Sequence, residues 1–384
     1  MPWSMAWWSE AGLGAGSPVA IQATVRAGPP GWLPAALNRG WIYRERVAPA
    51  EAGMTVSAYY AARHRHSDRE LWQARLASGE IHHNGAPLRQ EVPLAAGDRL
   101  AWHRPPWLEG AVPAAWGVVF DDGDLQVIDK PAGLPVLPAG GWLEHTALRL
   151  LEQRHAGDPR GIPRPVHRLG RFTSGLLVCA RQPATRAWLS ARLRESTAAG
   201  LAVRSSSPAT GPGPTGTDGA FSDPAGCRKR YRALLVPGVL PLAPGQALAI
   251  HTPIGRRPHP QLGAIWCAAA GSVSGDLAAA SSLTLLERDA AADLVEVAIA
   301  SGRPHQIRIH CAALGAPLLG DPLYRPGGGA DPDARPGDGG YALQAWRLEL
   351  VLPSGAALTL TVPAPLQLGT HPPPRLPPTL GLPP

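Results

Sequence analysis

From Val118 to Val362 the chain alternates short apolar runs with turn residues, a pattern that only a sheet-based domain can bury. Val118–Asp122 and Leu125–Asp129 flank an Asp122-Gly123-Asp124 turn. Further strand-like runs follow at Leu176–Ala180, Tyr231–Val236, Leu283–Leu286, Leu294–Ala300, Trp346–Leu352 and Leu358–Val362. Helical patterns interrupt them near Thr146–Gln153, Thr185–Leu193 and His305–Leu314. Strands that dominate and are broken by few helices predict an α+β domain with a mainly antiparallel central sheet.

The rest of the chain divides by composition. Residues 1–40 are rich in Gly, Pro and Trp without periodicity and are expected to be a flexible extension. Residues 41–106 read as a small α+β module. A short helix is predicted around Val56, Tyr59, Tyr60 and Arg63, and Ser67-Asp68-Arg69-Glu70 reads as a capping box opening a second helix that Gly79 ends. Asn84-Gly85 predicts a hairpin, and Gly97-Asp98 precedes a last strand. This order resembles the S4-type RNA-binding module, which makes Arg63, Arg65 and Arg69 candidate RNA contacts. Residues 107–116 read as a Pro-marked linker and 117–366 as the main domain, with insertions at about 196–227, 263–282 and 326–340. Residues 367–384 form a Pro-rich tail, expected to be disordered or polyproline II.

At 384 residues the chain is long enough for a substantial core, and its net charge of +7 comes almost entirely from Arg. No acidic residue lies between Asp158 and Glu195, a stretch holding Arg160, Arg164, Arg168, Arg171, Arg181 and Arg186. A second acid-free run from Pro224 to Gly275 carries Arg228, Lys229, Arg230, Arg232, Arg256 and Arg257. Such clustering points to a polyanion, most simply nucleic acid. Cys179, Cys227, Cys267 and Cys311 form no CxxC pair, and the histidines lack further ligands at useful spacing, so no metal site is expected. With no apolar run of membrane length and no secretory leader pattern, a cytoplasmic protein is expected. An organelle such as a plastid is the alternative, if residues 1–40 are a transit peptide.

Four blocks carry the chemistry: Val127-Ile128-Asp129-Lys130-Pro131-Ala132-Gly133; His167-Arg168-Leu169-Gly170-Arg171-Phe172-Thr173-Ser174-Gly175-Leu176-Leu177; Arg230-Tyr231-Arg232-Ala233-Leu234; and Ser301-Gly302-Arg303-Pro304-His305-Gln306-Ile307-Arg308-Ile309-His310 with Gly320-Asp321-Pro322-Leu323-Tyr324. In sequence and order they resemble the RluA-type RNA pseudouridine synthases. The resemblance implies the pseudouridine synthase fold over about 117–366 and isomerisation of uridine in ribosomal or transfer RNA. It implies no cofactor; no membrane partner and a monomer are expected alongside it. In that reaction the C1′–N1 bond breaks, the base turns, and C5 joins C1′. By the same resemblance Tyr231 stacks near the uracil and helps remove the later proton, and Arg308 pairs with the catalytic aspartate. Arg168 fills the gap left by the flipped base. Lys130, Arg171, Thr173 and Arg303 shape or grip the substrate. His305 and His310 read as helix-capping or packing residues, and Asp321 as the holder of a turn.

One departure is decisive. The family's catalytic aspartate corresponds to Gly170, and no neighbouring carboxylate can replace it by a shift of register. Two readings follow. In the first the protein is a synthase in which Asp321, Asp129 or a substrate phosphate replaces the aspartate. In the second it is a catalytically silent RNA-binding protein or RNA chaperone, a reading under which Gly170→Asp has room to create activity. A buried Arg308 must find another partner in either case, and Asp321 is one candidate.

Overall fold

The computed structural model of the chain describes residues 31–64, 66–202, 227–271, 273–299 and 302–363, with side chains of the helix ending at 202 described only to 193. In the front module, β1 (Trp41–Arg46), β2 (Ile81–His83), β3 (Ala86–Leu88) and β4 (Arg99–Arg104) form an antiparallel sheet in the order β1-β4-β2-β3. Helices α1 (Val56–Arg63) and α2 (Arg69–Ser78) cover it. Tyr60 stacks on Trp72 at 4.6 Å between ring centroids, and Trp72 meets Trp102 edge-on at 4.8 Å, so aromatic contacts form much of this core. The α2 cap differs from expectation by one residue. Asp68 accepts from the Leu71 backbone N–H at 2.8 Å, while the Ser67 hydroxyl accepts from Arg75. Gly79, at φ 82°, ends the helix as expected.

The end of the extension is not loose. Trp32–Leu33 pairs with Val112–Pro113 and Ala36–Leu37 with Leu108–Glu109, so the expected linker is built into the structure. Buried Glu109 fixes it by accepting from Asn38 and from the backbone N–H groups of Glu144 and His145. Residues 1–30 and the Pro-rich tail lie outside the described residues.

The main domain is built on β5 (Gly117–Asp121), β6 (Leu125–Lys130), β7 (Thr173–Ala180), β8 (Cys227–Leu235), β9 (Ala247–Ile250), β10 (Ile254–His259), β11 (Gly263–Ala268), β12 (Ser281–Arg288), β13 (Asp293–Ile299), β14 (Leu343–Val351) and β15 (Ala357–Thr361). The large sheet runs β9-β12-β13-β8-β14-β7-β6-β5, with β15 also on β14 and Arg164–Pro165 also on β7. All its pairings are antiparallel except β7 with β14. Helix α3 (Ala147–Arg154) and helix α4 (Pro183–Ala202) pack on opposite faces. In β7, Leu176, Val178 and Ala180 meet Leu189 and Leu193 of α4, while Leu177 and Cys179 meet Leu150 and Leu151 of α3. A strand buried on both faces reads as a continuous apolar run, as Leu176–Ala180 does.

The expected insertions are corrected in two places. Helix α4 runs on to Ala202, and residues 203–226 lie outside the described set. Within 263–282, β11 pairs with β10 as a hairpin, and Ser281 already belongs to the large sheet. Ile265, Cys267 and Ile254 of that hairpin pack on helix α5 (Gln306–Ala313) through Ile309 and Ala312. Among the described residues no helix is long and apolar enough to cross a membrane.

Candidate active site

Strands β7 and β14 run parallel, with Thr173 opposite Leu343 and Gly175 opposite Ala345. Parallel neighbours start at the same end of a sheet. The loop before β7 and the residues before β14 therefore meet, although Gly170 and Tyr341 are far apart in the chain. Gly175 permits this approach: its φ is +97°, and a side chain there would collide with the Ala345 carbonyl. Next along the sheet, Tyr231 of β8 lies opposite Ala345 on one side and Val297 on the other.

These elements and the start of α5 enclose a cleft of about 410 Å³, within the range of ligand sites. Its lining includes Arg168, Gly170, Thr173, Tyr231, Arg303 and Arg308, six of the residues expected from the sequence. Lys229, Gln306 and Tyr341 join them. Four lining residues are cationic (Arg168, Lys229, Arg303 and Arg308), and none is Asp or Glu. The cleft is thus chemically suited to a phosphate-bearing ligand and, among the described residues, has no carboxylate of its own. Burial raises the Tyr231 phenol pKa, which keeps the ring neutral.

Arg308 has found a partner. Its Nε and Nη2 donate to the two oxygens of Asp321, each at 2.7 Å, and both side chains are almost wholly buried. Burial alone would lower the Arg308 pKa. The Asp321 hydrogen bonds and the adjacent Tyr341 and Tyr324 raise it, so the guanidinium stays charged. Asp321 also accepts from the backbone N–H groups of Leu323 and Tyr324, which fixes the turn before Tyr324. Asp321 does not itself line the cleft, and both of its oxygens are taken by Arg308, so it is not free to serve as the missing carboxylate. Asp129 does not line the cleft either; it sits on β6, where burial raises its pKa to about 6.

What fills the place of the missing side chain is Tyr341. A Cβ built on Gly170 would overlap the Tyr341 hydroxyl, and would lie 3.2 Å from Thr173 Oγ1 and 3.5 Å from Tyr341 Cζ. The Tyr341 and Thr173 hydroxyls are 3.4 Å apart, and the Arg308 guanidinium lies 4.2 Å from the Tyr341 ring centroid.

Two expected grips act from behind the site. Lys130 is wholly buried and cannot touch a ligand. Its ammonium donates to the carbonyls of Pro131, Leu134 and Arg171 at 2.8, 2.8 and 3.1 Å. Burial pulls its pKa down to about 7, helped by the nearby Arg171 charge, while the three acceptors take all three ammonium hydrogens. It therefore ties the Pro131–Leu134 turn to the loop before β7. Arg171 bonds the Gly133 and Gly337 carbonyls and lies over Trp142, so it ties loops together. In the front module, Arg63 pairs with Glu45 and Glu51, and Arg69 donates to Ser57 and Thr55. Both remain exposed, and Arg65 lies outside the described residues.

Three histidines serve the framework as neutral acceptors or bridges. His167 Nε2 accepts from the Val178 backbone N–H at 3.0 Å, His305 bonds the Tyr324 hydroxyl, and His310 bridges Ser281 and the Thr252 carbonyl. Burial depresses their pKa values to about 4, about 3 and about 4, with Lys229 adding to the effect at His167 and Arg308 at His305. Each folded value lies below the ordinary 6.5, so below that pH the unfolded chain binds more protons than the native state. Their stabilisation is complete above about pH 6.5 and is lost as pH falls towards 4. Asp129, raised to about 6, acts in the opposite direction between about pH 4 and 6 but is one group against three. The urea midpoint is therefore expected to be lower at pH 4.5 than at pH 7.5. A midpoint equal or higher at pH 4.5 would contradict this account.

Sequence reasoning missed Tyr341 and Lys229 as cleft residues. Lys229 had a local signal, the basic run beside Tyr231. Tyr341 had none, because its contact depends on the parallel pairing of β7 with β14.

A family described as RNA pseudouridylate synthase matches residues 124–199. An uncharacterized RNA pseudouridine synthase of Synechocystis sp. is 39% identical over 315 residues, covering 81% of this chain and 94% of that protein. RNA pseudouridine synthase 5 of Arabidopsis thaliana is 33% identical over 373 residues, covering 87% of this chain and 95% of that protein. Ribosomal large subunit pseudouridine synthase D of Nitrosomonas europaea is 32% identical over 257 residues, covering 65% of this chain and 62% of that protein.

Proposed function

The chain belongs to the RluA-type RNA pseudouridine synthases, and from that premise we propose that its cleft isomerises a uridine flipped out of structured ribosomal or transfer RNA. The observation that carries this reading is one cationic, acid-free cleft that unites Arg168, Gly170, Tyr231, Arg303 and Arg308 from three separate sequence blocks. Exposed Arg168 stands at the rim, where it fills the gap left by the departed base. Lys229 and Arg303 hold flanking phosphates, and the Tyr231 ring stacks on the uracil. The front unit, read as an S4-type grip, adds Arg63 and Arg69. The rearrangement redistributes bonds within one nucleotide, so it consumes no cofactor, and the protein acts as a monomer.

The test uses purified full-length protein and RNA from gene-deleted cells of the source organism, labelled with [5-³H]uridine. Forming the C5–C1′ bond expels the C5 hydrogen, so tritium release counts turnovers. Release that saturates with RNA and weakens with added salt is expected. Salt-sensitive RNA binding without any release would instead mean a silent RNA-binding protein.

A further inference from the structure

We propose that Tyr341 takes the place of the absent aspartate, its phenol oxygen being the group that meets C1′ of the flipped uridine. This rests on the synthase reading above and deepens it. Three observations converge. The Tyr341 hydroxyl occupies the space where a side chain on Gly170 would begin, so it reaches the family's catalytic position from the segment before the neighbouring strand β14. Among the described residues no carboxylate lines that cleft, and Asp321, behind the lining, has both oxygens taken by Arg308. The Arg308 charge lies 4.2 Å from the Tyr341 ring centroid, and the Thr173 hydroxyl lies 3.4 Å from its oxygen. Both favour negative charge developing on that phenol.

A phenol can serve at an anomeric carbon, as the tyrosine nucleophile of sialidases does. The Tyr341 Oη–C1′ bond forms as C1′–N1 breaks. The C1′–N1 electron pair leaves with the uracil, and the phenol proton passes to the uracil O2. After the base turns, C5 attacks C1′ and the Oη–C1′ pair returns to oxygen. The C5 proton then restores the phenol, and the uracil O2 proton moves to N1. Atoms, charge and oxidation level balance with no co-reactant. The arrangement also explains the glycine: with Tyr341 in place, position 170 has no room for a side chain.

Tyr341→Phe tests the proposal, because it keeps the ring against Phe172 and Arg308 and deletes only the oxygen. In the tritium assay its kcat is expected to fall roughly 100-fold or more, with KM and the thermal midpoint close to wild type. The double variant Tyr341→Phe with Gly170→Asp restores a carboxylate, since the remaining Cζ lies 3.5 Å from the new Cβ, and is expected to recover part of that loss. A Tyr341→Phe protein with near wild-type kcat, or a loss confined to KM, would overturn the assignment of Tyr341 and leave the synthase reading standing. Absence of release by the wild type would overturn both.

Discussion

Asp321→Ala is expected to destabilise the protein by about 3–5 kcal/mol, because it leaves the Arg308 guanidinium buried without its counter-charge. Arg308 is 3% exposed and Asp321 is wholly buried at the side chain, so water cannot take over the lost interaction. The same substitution frees the Leu323 and Tyr324 backbone N–H groups and loosens the turn that seats Tyr324. Tyr324 in turn bonds His305 and the Trp266 carbonyl, linking α5 to the β10–β11 hairpin. For a domain of this size the thermal midpoint should fall by roughly 10 °C. Urea unfolding measures the effect. A loss below about 1 kcal/mol would show that Arg308 does not depend on Asp321 for its charge compensation.

Gly170→Asp is expected to reduce activity at least tenfold, although it supplies the residue that the family uses. Its Cβ would overlap the Tyr341 hydroxyl, and Tyr341 is itself packed against Phe172 and Arg308. The ring must be displaced or the loop before β7 must shift, at a cost of about 1–3 kcal/mol typical of overpacking. The sequence alone allowed the opposite outcome, a gain of activity, because it could not reveal what fills the space beside Gly170. The tritium assay and a thermal melt of the single variant decide between them. A Gly170→Asp protein that is faster than wild type and equally stable would contradict the structural account.

The sheet was legible because β7 and β6 are buried on both faces and read as apolar runs, while β12 alternates buried and half-buried residues. Helix α5 was legible through Ile307, Cys311 and Leu314, whose i, i+4, i+7 spacing puts them on one helical face. The β10–β11 hairpin was not, since its second strand fell in the expected insertion at about 263–282 and its first holds Gly255 and Pro258, poor strand formers; packing on Ile309 and Tyr324 makes it a strand pair. At the α2 cap, Asp68 takes the backbone N–H that Ser67 was expected to cap, and the serine hydroxyl instead accepts from Arg75 of the same helix. Trp32–Leu33 and Ala36–Leu37 become strands only because the residues before β5 offer them a free edge. At the site, motif residues pointed to Arg168, Tyr231, Arg303 and Arg308, and charge balance made Asp321 a candidate partner for Arg308. Lys130, expected by resemblance to shape or grip the substrate, is held inside by three converging carbonyls, an arrangement that local sequence does not record. Tyr341 was beyond reach, since no periodicity in the chain records which two strands lie parallel.

The most direct test of the central claim, that this cleft isomerises uridine without a carboxylate at position 170, is a base-resolution pseudouridine map of total cellular RNA. It compares cells with the gene, without it, and without it but complemented by the wild-type or Tyr341→Phe form. One or a few sites should disappear on deletion, return with the wild-type gene, and stay absent with Tyr341→Phe expressed at the same level. A map unchanged by deletion, in cells where no second enzyme modifies the same sites, would contradict the claim.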